Sequence, residues 1–326
     1  MKKIKIICTI GPSSFKRSIL NKLKRLGVDI FRINLSHTKI EELIKNINLL
    51  KSCVDKKKIC IDTEGAQVRT GHNIKTKILK KNQKVIFGNN HSYRYNFYPK
   101  IDFKKLKLKT KVFIGFDDLI LKILKINKNE LFCKVLSAGK IEPNKGVHFN
   151  FNELTMPALT EKDIEAIKIS KKLGVRKFAL SFANSKADVQ ILKKLINKND
   201  FLISKIETSN GLKNLKEITK ISDAILLDRG DLSRYVPIHE IPLQQMKVLK
   251  CSNLNLKPTY IATNLLETMI NKQTPTRAEA NDIYQSLFHG ARGLVLAAET
   301  AIGKYPIECV QFIKNCIKVY SKNEKI

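Results

Sequence analysis

Long apolar runs and closely spaced cysteines are both missing from this 326-residue sequence. No segment has eighteen or more consecutive apolar residues, so the sequence predicts no membrane-spanning helix. The first segment, MKKIKIICTIGPSS, reaches Gly-Pro too early for a secretory signal, and we expect a cytoplasmic protein with no membrane partner. The seven cysteines are scattered and never form the pairs typical of zinc sites or redox motifs, so we expect reduced thiols.

Acidic residues are scarce relative to basic ones. The sequence has 29 Asp and Glu against 61 Lys and Arg, a formal charge of +32. A clustered basic surface would favour a phosphate polymer, but here the lysines are spread over every segment, and we expect no nucleic-acid partner. A positive field of this kind still favours small anionic substrates.

Eight short runs rich in Ile, Val and Phe alternate with helix-length segments such as 39–51 and 161–173. Continuous apolar strands separated by helices are typical of a parallel sheet covered by helices, and a count of eight predicts an α/β fold of the (β/α)8 TIM-barrel type. The runs are IKIICTI, IFRINL, KKICIDTEG, KFALSF, FLISKIE, AILLDRGD, PTYIATN and GLVLAAE.

The strand spacing breaks once, after the third run. About seventy residues follow with strand-like pieces (QKVIFG, TKVFIGF, ELFCKVL) and turn residues, but with no helix of the barrel type. We therefore predict a barrel formed by residues 1–70 and 146–326, and a small β-rich domain, residues 71–145, inserted after strand 3. An insertion at that face of a barrel is suited to act as a lid.

Polar residues end most of the eight runs, and the carboxyl ends of barrel strands form the active site in this fold. Lys205 and Glu207 lie two positions apart on one strand, so their side chains point the same way. Glu207 and Asp231 end adjacent strands, where two carboxylates suit Mg2+; the alternative is a pair of acids neutralised by nearby lysines. The Lys205 ammonium beside them suits a phosphoryl group in transfer, whereas a Schiff-base role would need a depressed pKa.

Three further segments give weaker signals. RGDL, residues 229–232, places a glycine beside an acid, so that backbone N–H groups can approach an anion. PTRAEAND, residues 275–282, is first of all the start of a helix. FRINLSHT directs Arg32, Asn34 and Ser36 to one side, where they would hold phosphate and a monovalent cation or simply be satisfied by water.

Taken together, these segments resemble the pyruvate kinase family. The matching segments occur in that family's order over essentially the whole chain: ICTIGPSS, FRINLSH, DTEGAQVRTG, LISKIETSNGL, RGDL, PTYIATNLLETMI, PTRAEANDI and ETAIGKYPIE. The resemblance implies a catalytic (β/α)8 barrel with an inserted lid domain. It also implies phosphoryl transfer between phosphoenolpyruvate and ADP, giving pyruvate and ATP.

The resemblance assigns roles to individual residues. The implied catalytic residues are Lys205, Thr263 and Arg32. Those implied to bind substrate are Arg32, Ser181, Gly230, Asp231 and Thr263. Glu207 and Asp231 resemble the ligands of Mg2+, or Mn2+ in its place. The residues that resemble a K+ site are Asn34, Ser36, Asp62 and Thr63, and those on the nucleotide side are His37, Arg69 and Asp117.

The sequence departs from the family pattern in four places. It ends after the last barrel helix, so we expect the family's C-terminal domain and its usual allosteric control to be absent. Ala297 and Ala298 stand where the family has Ser and Gly, and alanine cannot serve in the hydroxyl relay implicated in protonating the enolate. At the third place, Glu64, Ala66 and Gln67 stand where the family usually has Lys, Pro and Glu, and this leaves the K+ requirement open. At the fourth, Asp228 and Ser233 stand where the family usually has a small residue and Gly.

Two alternatives to a pyruvate kinase-type reaction therefore stay open at this point. One is a divergent metal-dependent phosphotransferase or lyase acting on another pyruvate-like enolate. The other is a paralogue that binds phosphoenolpyruvate or nucleotide without turnover. The sequence also leaves the oligomeric state open, with a homo-oligomer among the alternatives.

Overall fold

The computed structural model describes residues 3–65, 67–90, 92–115, 119–150 and 156–323. The chain forms two compact units, Met1–Gly65 with Pro157–Ile326, and Ala66–Met156. The boundaries of the second unit thus lie at 65/66 and 156/157, whereas the sequence pattern places them at 70/71 and 145/146. Among the described residues, no helix is long and apolar enough to cross a membrane.

The first unit begins with three parallel strands and two helices. Helix α1 ends at Gly27, whose φ of 95° lies in the left-handed region that glycine adopts without steric cost. Leu20 and Leu23, one helical turn apart, are its fully buried residues and pack on the sheet. The elements are β1 (Lys5–Thr9), α1 (Arg17–Leu26), β2 (Ile30–Asn34), α2 (Ile40–Cys53) and β3 (Ile59–Asp62).

The second unit is made of β-strands and has its own core. Leu119, Leu121 and Ile123 alternate with less buried residues along one strand, as expected for a sheet with one covered face. The strands are β4 (Arg69–Thr70), β5 (Lys77–Leu79), β6 (Lys84–Gly88), β7 (Tyr95–Tyr98), β8 (Lys111–Ile114), β9 (Leu119–Ile126), β10 (Glu130–Ser137), β11 (Gly139–Ile141) and β12 (Val147–Phe149). Seven form a sheet in the order β12-β8-β9-β10-β6-β7-β4, and β11 pairs with β5.

The chain then returns to the first unit, where five strands alternate with helices. Capping boxes start α3, α4 and α9, in which Thr160, Ser185 and Thr276 accept a hydrogen bond from the third residue of the helix. The strands are β13 (Lys177–Leu180), β14 (Phe201–Ile206), β15 (Ala224–Asp228), β16 (Thr259–Ala262) and β17 (Gly293–Leu296). The helices are α3 (Glu161–Lys172), α4 (Lys186–Leu195), α5 (Ser209–Lys213), α6 (Leu215–Ile221), α7 (Arg229–Leu232), α8 (Ile241–Leu254), α9 (Arg277–Phe288), α10 (Ala298–Ala301) and α11 (Pro306–Asn323).

The eight strands of the first unit close into a parallel barrel in the order β1-β17-β16-β15-β14-β13-β3-β2. The prediction of a (β/α)8 barrel with a small β domain inserted after strand 3 is therefore confirmed. Inward-facing side chains, including Ile7, Ile203 and Tyr260, fill the barrel, while a larger core lies between the strands and the helices. Because all strands run the same way, their carboxyl ends meet at one end of the barrel.

Candidate active site at the carboxyl ends of the barrel strands

Lys205 is at the centre of a buried group of charges. It lies near the end of β14 and is 5% exposed. Its Nζ lies 2.9 Å from Glu207 Oε1 and 3.2 Å from Asp62 Oδ2, and it donates a hydrogen bond of 3.0 Å to Ser181 Oγ. The strand therefore directs Lys205 and Glu207 to the same side, as their spacing of two predicts.

The surroundings of Lys205 keep its ammonium charged. Burial by itself would lower the pKa of Lys205, but the carboxylates of Asp62, Glu207 and Asp228 outweigh burial and raise it above the ordinary value. A lysine held in this state is a fixed positive charge and a hydrogen-bond donor. It is not a nucleophile for Schiff-base chemistry, which needs the neutral amine.

Glu207 follows β14 directly and is fully buried. Its Oε2 accepts a hydrogen bond of 2.6 Å from the backbone N–H of Phe182, a residue with φ of 52°. Its Oε1 forms the ion pair with Lys205 but accepts no hydrogen bond from any described residue. Burial raises the pKa of Glu207, Lys205 lowers it, and the neighbouring acids raise it further. A cation would therefore be stabilised beside Glu207 Oε1.

Three carboxylates come together beside Lys205. Single oxygen atoms of Glu207, Asp228 and Asp231 all lie within 4.8 Å of one another. The sequence predicts Glu207 and Asp231 as metal ligands, whereas it treats Asp228 only as a change in a loop. Asp228 is the last residue of β15, and Asp231 lies in α7, where its Oδ1 is 3.6 Å from Arg234 Nε. Hard divalent cations such as Mg2+ prefer such oxygen ligands.

Arg32 supplies a second buried cation at the same end of the barrel. It lies in β2 and is 4% exposed. Its Nη1 lies 3.1 Å from Asp62 Oδ2, and its Nε donates to Thr9 Oγ1 at 2.9 Å. Asp62 therefore lies between Arg32 and Lys205 and holds both side chains in place. The sequence does not predict this link, because the resemblance gives Asp62 only a role in a K+ site.

Thr263, directly after β16, has a strained backbone with φ of 69°, a value rare for a β-branched residue. Two donors of Arg229 hold its carbonyl, with Nε at 3.2 Å and Nη2 at 2.5 Å. Arg229 Nη1 also binds both carboxylate oxygens of Asp282 at 2.9 and 2.7 Å. The Thr263 hydroxyl accepts a hydrogen bond of 2.7 Å from the N–H of Gly230. Arg229 therefore joins three segments: RGDL, in which it lies, the end of β16 through Thr263, and PTRAEAND through Asp282.

The four residues predicted for K+ lie on neighbouring strand ends. Asn34, the last residue of β2, is in register with Asp62 of β3. Its amide oxygen accepts a hydrogen bond of 3.0 Å from the N–H of Ser36. The Thr63 hydroxyl accepts one of 2.9 Å from the N–H of Ser181, and its carbonyl accepts one of 2.7 Å from Ser181 Oγ. The four residues thus lie at the ends of the neighbouring strands β2 and β3 and directly after them.

Glu64, the added acid of the DTEG segment, is 3% exposed and paired. Its Oε2 lies 2.9 Å from Nζ of Lys162, which also donates to the carbonyl of Leu35 at 2.6 Å. The backbone N–H groups of Glu64 and Gly65 donate to the Asp163 carboxylate at 2.6 and 3.1 Å. The extra carboxylate is therefore neutralised by a lysine from α3.

The residues predicted on the nucleotide side belong to different units of the fold. His37 is exposed, in a short 3-10 helix (Leu35–His37) of the first unit. Arg69 lies in β4 of the second unit, where its Nη1 donates to the carbonyl of Asn144 at 3.3 Å. Asp117 lies outside the described residues, as does Ala66.

Two alanines follow β17, the eighth strand of the barrel, where the sequence departs from the family pattern. Ala297 and Ala298 are half-buried after β17, and the N–H of Ala297 donates to Glu299 Oε2 at 2.7 Å. Neither side chain carries a hydroxyl. Ser233, which stands where the family has Gly, donates a hydrogen bond of 2.7 Å to the carbonyl of Gly230. This bond stabilises the end of α7.

A closed (β/α)8 barrel with buried cations and clustered carboxylates at the carboxyl ends of its strands defines a barrel enzyme. Comparisons with known proteins show to which family of barrel enzymes the chain belongs. The family described as the barrel domain of pyruvate kinase matches residues 1–310. The chain therefore belongs to the pyruvate kinase family.

Individual relatives support the same family assignment. The pyruvate kinase of Thermotoga maritima is 37% identical, with 99% of this chain and 72% of the relative covered. The pyruvate kinase of Methanocaldococcus jannaschii is 36% identical, with 98% and 70% covered. The pyruvate kinase of Thermococcus litoralis is 32% identical, with 97% and 69% covered. The chain is thus a pyruvate kinase-like phosphotransferase that spans about seventy per cent of the length of these relatives.

Proposed function

We propose that the protein transfers a phosphoryl group between phosphoenolpyruvate and ADP, giving pyruvate and ATP, with Mg2+ or Mn2+ as the divalent cation. The observation that carries this proposal is the buried Lys205 ammonium 2.9 Å from Glu207, beside the group of Glu207, Asp228 and Asp231. A phosphoryl group in transfer spreads negative charge over its equatorial oxygens, so fixed positive charge is what accelerates the reaction.

The acid group fits a divalent cation. Its donors are all carboxylate oxygens, the type that Mg2+ prefers, and Glu207 Oε1 accepts no hydrogen bond from any described residue. Glu207 and Asp231 would hold the ion. When bound, a divalent cation there supplies charge that neutralises phosphoryl oxygens.

The remaining roles belong to side chains of the chain itself. Lys205 donates to the phosphoryl group and stabilises its developing charge, and Arg32 and Ser181 bind the phosphate oxygens. Asp62 keeps both cations in position, with Oδ2 at 3.1 Å from Arg32 Nη1 and 3.2 Å from Lys205 Nζ. This arrangement fits a reaction in which catalysis is mostly positioning and electrostatics.

The carboxylate of phosphoenolpyruvate would bind at the end of β16 and the start of α7. The hydroxyl of Thr263 and the backbone at Gly230 and Asp231 form this pocket. Arg229 fixes it by holding the Thr263 carbonyl and Asp282 together. Substrate would take over the hydrogen bond that Gly230 now donates to Thr263 Oγ1.

We assign the monovalent site to the oxygens of Asn34, Ser36, Asp62 and Thr63, with K+ as the ion. His37, Arg69 and Asp117 would contact the nucleotide, and the inserted β domain would act as a lid. The reaction would take place in the cytoplasm.

A second candidate keeps the metal site and changes the substrate. Ala297 and Ala298 provide no hydroxyl at the end of β17, so protonation of the enolate would lack a relay on that strand. The lack of that hydroxyl is the observation that favours, as the second candidate, a metal-dependent phosphotransferase or lyase acting on another pyruvate-like enolate. Exchange of pyruvate methyl protons in deuterated water, dependent on metal but not on nucleotide, would favour the lyase.

A coupled assay tests the main proposal. Purified protein is given phosphoenolpyruvate, ADP and Mg2+, with and without K+, and pyruvate is followed through lactate dehydrogenase. We expect turnover that requires the divalent cation and disappears with a chelator. Turnover no higher than that of Lys205→Met, measured beside a Lys5→Met control, would contradict the proposal.

A further inference from the structure

Asp228 is a buried acid to which the proposed reaction assigns no ligand role. It is the last residue of β15, is 5% exposed, and stands where the resemblance to the family leads one to expect a small residue. Its carboxylate belongs to the group in which oxygens of Glu207, Asp228 and Asp231 lie within 4.8 Å of one another. Two acids of that group have an assigned ligand role, and the third has none.

The described contacts of Asp228 leave its charge largely uncompensated. Oδ1 accepts a long hydrogen bond of 3.4 Å from the N–H of Asp231, and Oδ2 is 4.0 Å from Lys205 Nζ. Lys205 is closer to two other carboxylates, at 2.9 Å from Glu207 and 3.2 Å from Asp62. A buried carboxylate normally requires a strong partner, because removing its charge from water is costly.

Glu207 gives a second observation at the same place. It is fully buried, and its Oε1 accepts no hydrogen bond from any described residue. Lys205 is the cation paired with that oxygen, but it is shared with Asp62 and Asp228. Arg32 Nη1 compensates Asp62 at 3.1 Å and Lys205 lies nearest to Glu207, so Asp228 keeps only the 4.0 Å contact with Lys205 as its described ion pair. A further positive charge would therefore be stabilised beside Asp228.

We propose that Asp228 is a third protein ligand of the divalent cation, together with Glu207 and Asp231. This inference rests on the proposed function, since it takes the metal site of that reaction as its starting point. A third carboxylate replaces a coordinated water and raises the affinity of the free protein for the ion. The chain would therefore bind its metal before substrate arrives, rather than depend on substrate oxygens to complete the site.

Titration of the full-length protein with Mn2+ alone, followed by electron paramagnetic resonance of the free ion, tests this directly. Asp228→Asn removes the charge but keeps a side chain that can cap α7 as well as aspartate does. We expect it to weaken Mn2+ binding about tenfold or more, and water-proton relaxation to report one more coordinated water on the bound ion. Asp223→Asn is the matched control, because it removes an acid from the opposite end of the same strand, where Asp223 Oδ2 accepts from the N–H of Leu202 at 2.8 Å.

Glu207→Gln separates failure of this inference from failure of the proposed function. If Glu207→Gln abolishes Mn2+ binding while Asp228→Asn binds as tightly as the wild type, the third ligand is wrong and the proposed metal site stands. If the wild type binds no Mn2+, both are wrong. If Asp228→Ala weakens binding and Asp228→Asn does not, Asp228 acts by capping α7, which also overturns the inference. Circular dichroism melts of each variant identify any that have not folded.

Discussion

Two lysines lie inside the same barrel, one at each end, and their surroundings are opposite. At the amino end, Lys5 Nζ lies 5.2 Å from the centre of the Phe201 ring, and it donates to the Tyr260 hydroxyl at 3.3 Å. Burial and the neighbouring Lys177 lower the pKa of Lys5. At the carboxyl end, Lys205 is surrounded by carboxylates, and its pKa is raised despite burial.

The difference shows how one scaffold separates stability from chemistry. At the amino end, the amines of Lys5 and Lys177 lie over the Phe201 ring, and that of Lys5 also donates to the Tyr260 hydroxyl. The carboxyl end contains buried charges that would be costly alone, and Arg32, Lys205, Asp62 and Glu207 each lie next to a group of opposite charge. The buried charges at the carboxyl end of the barrel therefore identify the candidate active site. Changes at the two ends should affect different measurable properties.

The largest effect is expected from removing the charge of Lys205. Lys205→Met should lower kcat by on the order of 10³-fold, about 4 kcal/mol of transition-state stabilisation, because a preorganised donor to the phosphoryl group is lost. Mn2+ binding should remain, since the acids are intact. Lys5→Met, at the amino end, should keep kcat within about twofold. Equal losses of kcat in both variants would show that the two ends do not differ as described.

The next effect concerns the amino end and should appear in stability. Tyr260 is fully buried inside the barrel, and Tyr260→Ala should reduce the free energy of unfolding by about 3 kcal/mol, because it leaves a cavity. Urea unfolding followed by circular dichroism measures this. The folded fraction should keep its kcat, and Tyr260→Phe, which removes only the hydroxyl, should cost less than about 1.5 kcal/mol. A large loss of kcat in folded Tyr260→Ala would contradict the separation of roles.

The smallest effect tests the support of the carboxylate pocket. Arg229→Lys loses the fork that holds both the Thr263 carbonyl and Asp282, and we expect kcat to fall about tenfold because Thr263 is less well positioned. Steady-state kinetics with varied phosphoenolpyruvate measures it. Arg176→Lys is the matched control, since Arg176 pairs with Asp200 at 3.0 Å before β13, at the amino end. Unchanged kinetics in Arg229→Lys would remove the positioning role.

Much of the fold follows from the sequence because its signals are local. Eight apolar runs spaced by helices define the barrel, and the break in spacing after the third marks the insertion. The unit boundary lies at 156/157 instead of 145/146, since residues such as Val147 pair with strands of the second unit. Pairings of this kind join residues far apart in the chain, and local pattern does not reveal them.

The site is predictable only in part for the same reason. Lys205 and Glu207 follow from strand parity, because they share one strand. Asp62 is 143 residues away from Lys205 in sequence, and its contact with that amine depends on the order of strands in the closed barrel. The place of Asp228 in the acid group does not follow from the RGDL segment, which indicates a turn, although its position at the end of the run AILLD is a signal for an inward side chain. The pair of Glu64 and Lys162 joins two different segments in the same way.

The proposed reaction depends above all on a divalent cation beside the Lys205 ammonium at the carboxyl end of the barrel. Soaking a crystal with Mn2+ and measuring diffraction at an anomalous wavelength would locate the ion. We expect an anomalous peak in contact with carboxylate oxygens of Glu207 and Asp231, next to Lys205 Nζ. A fully occupied peak elsewhere on the chain, with none among these acids, would contradict it.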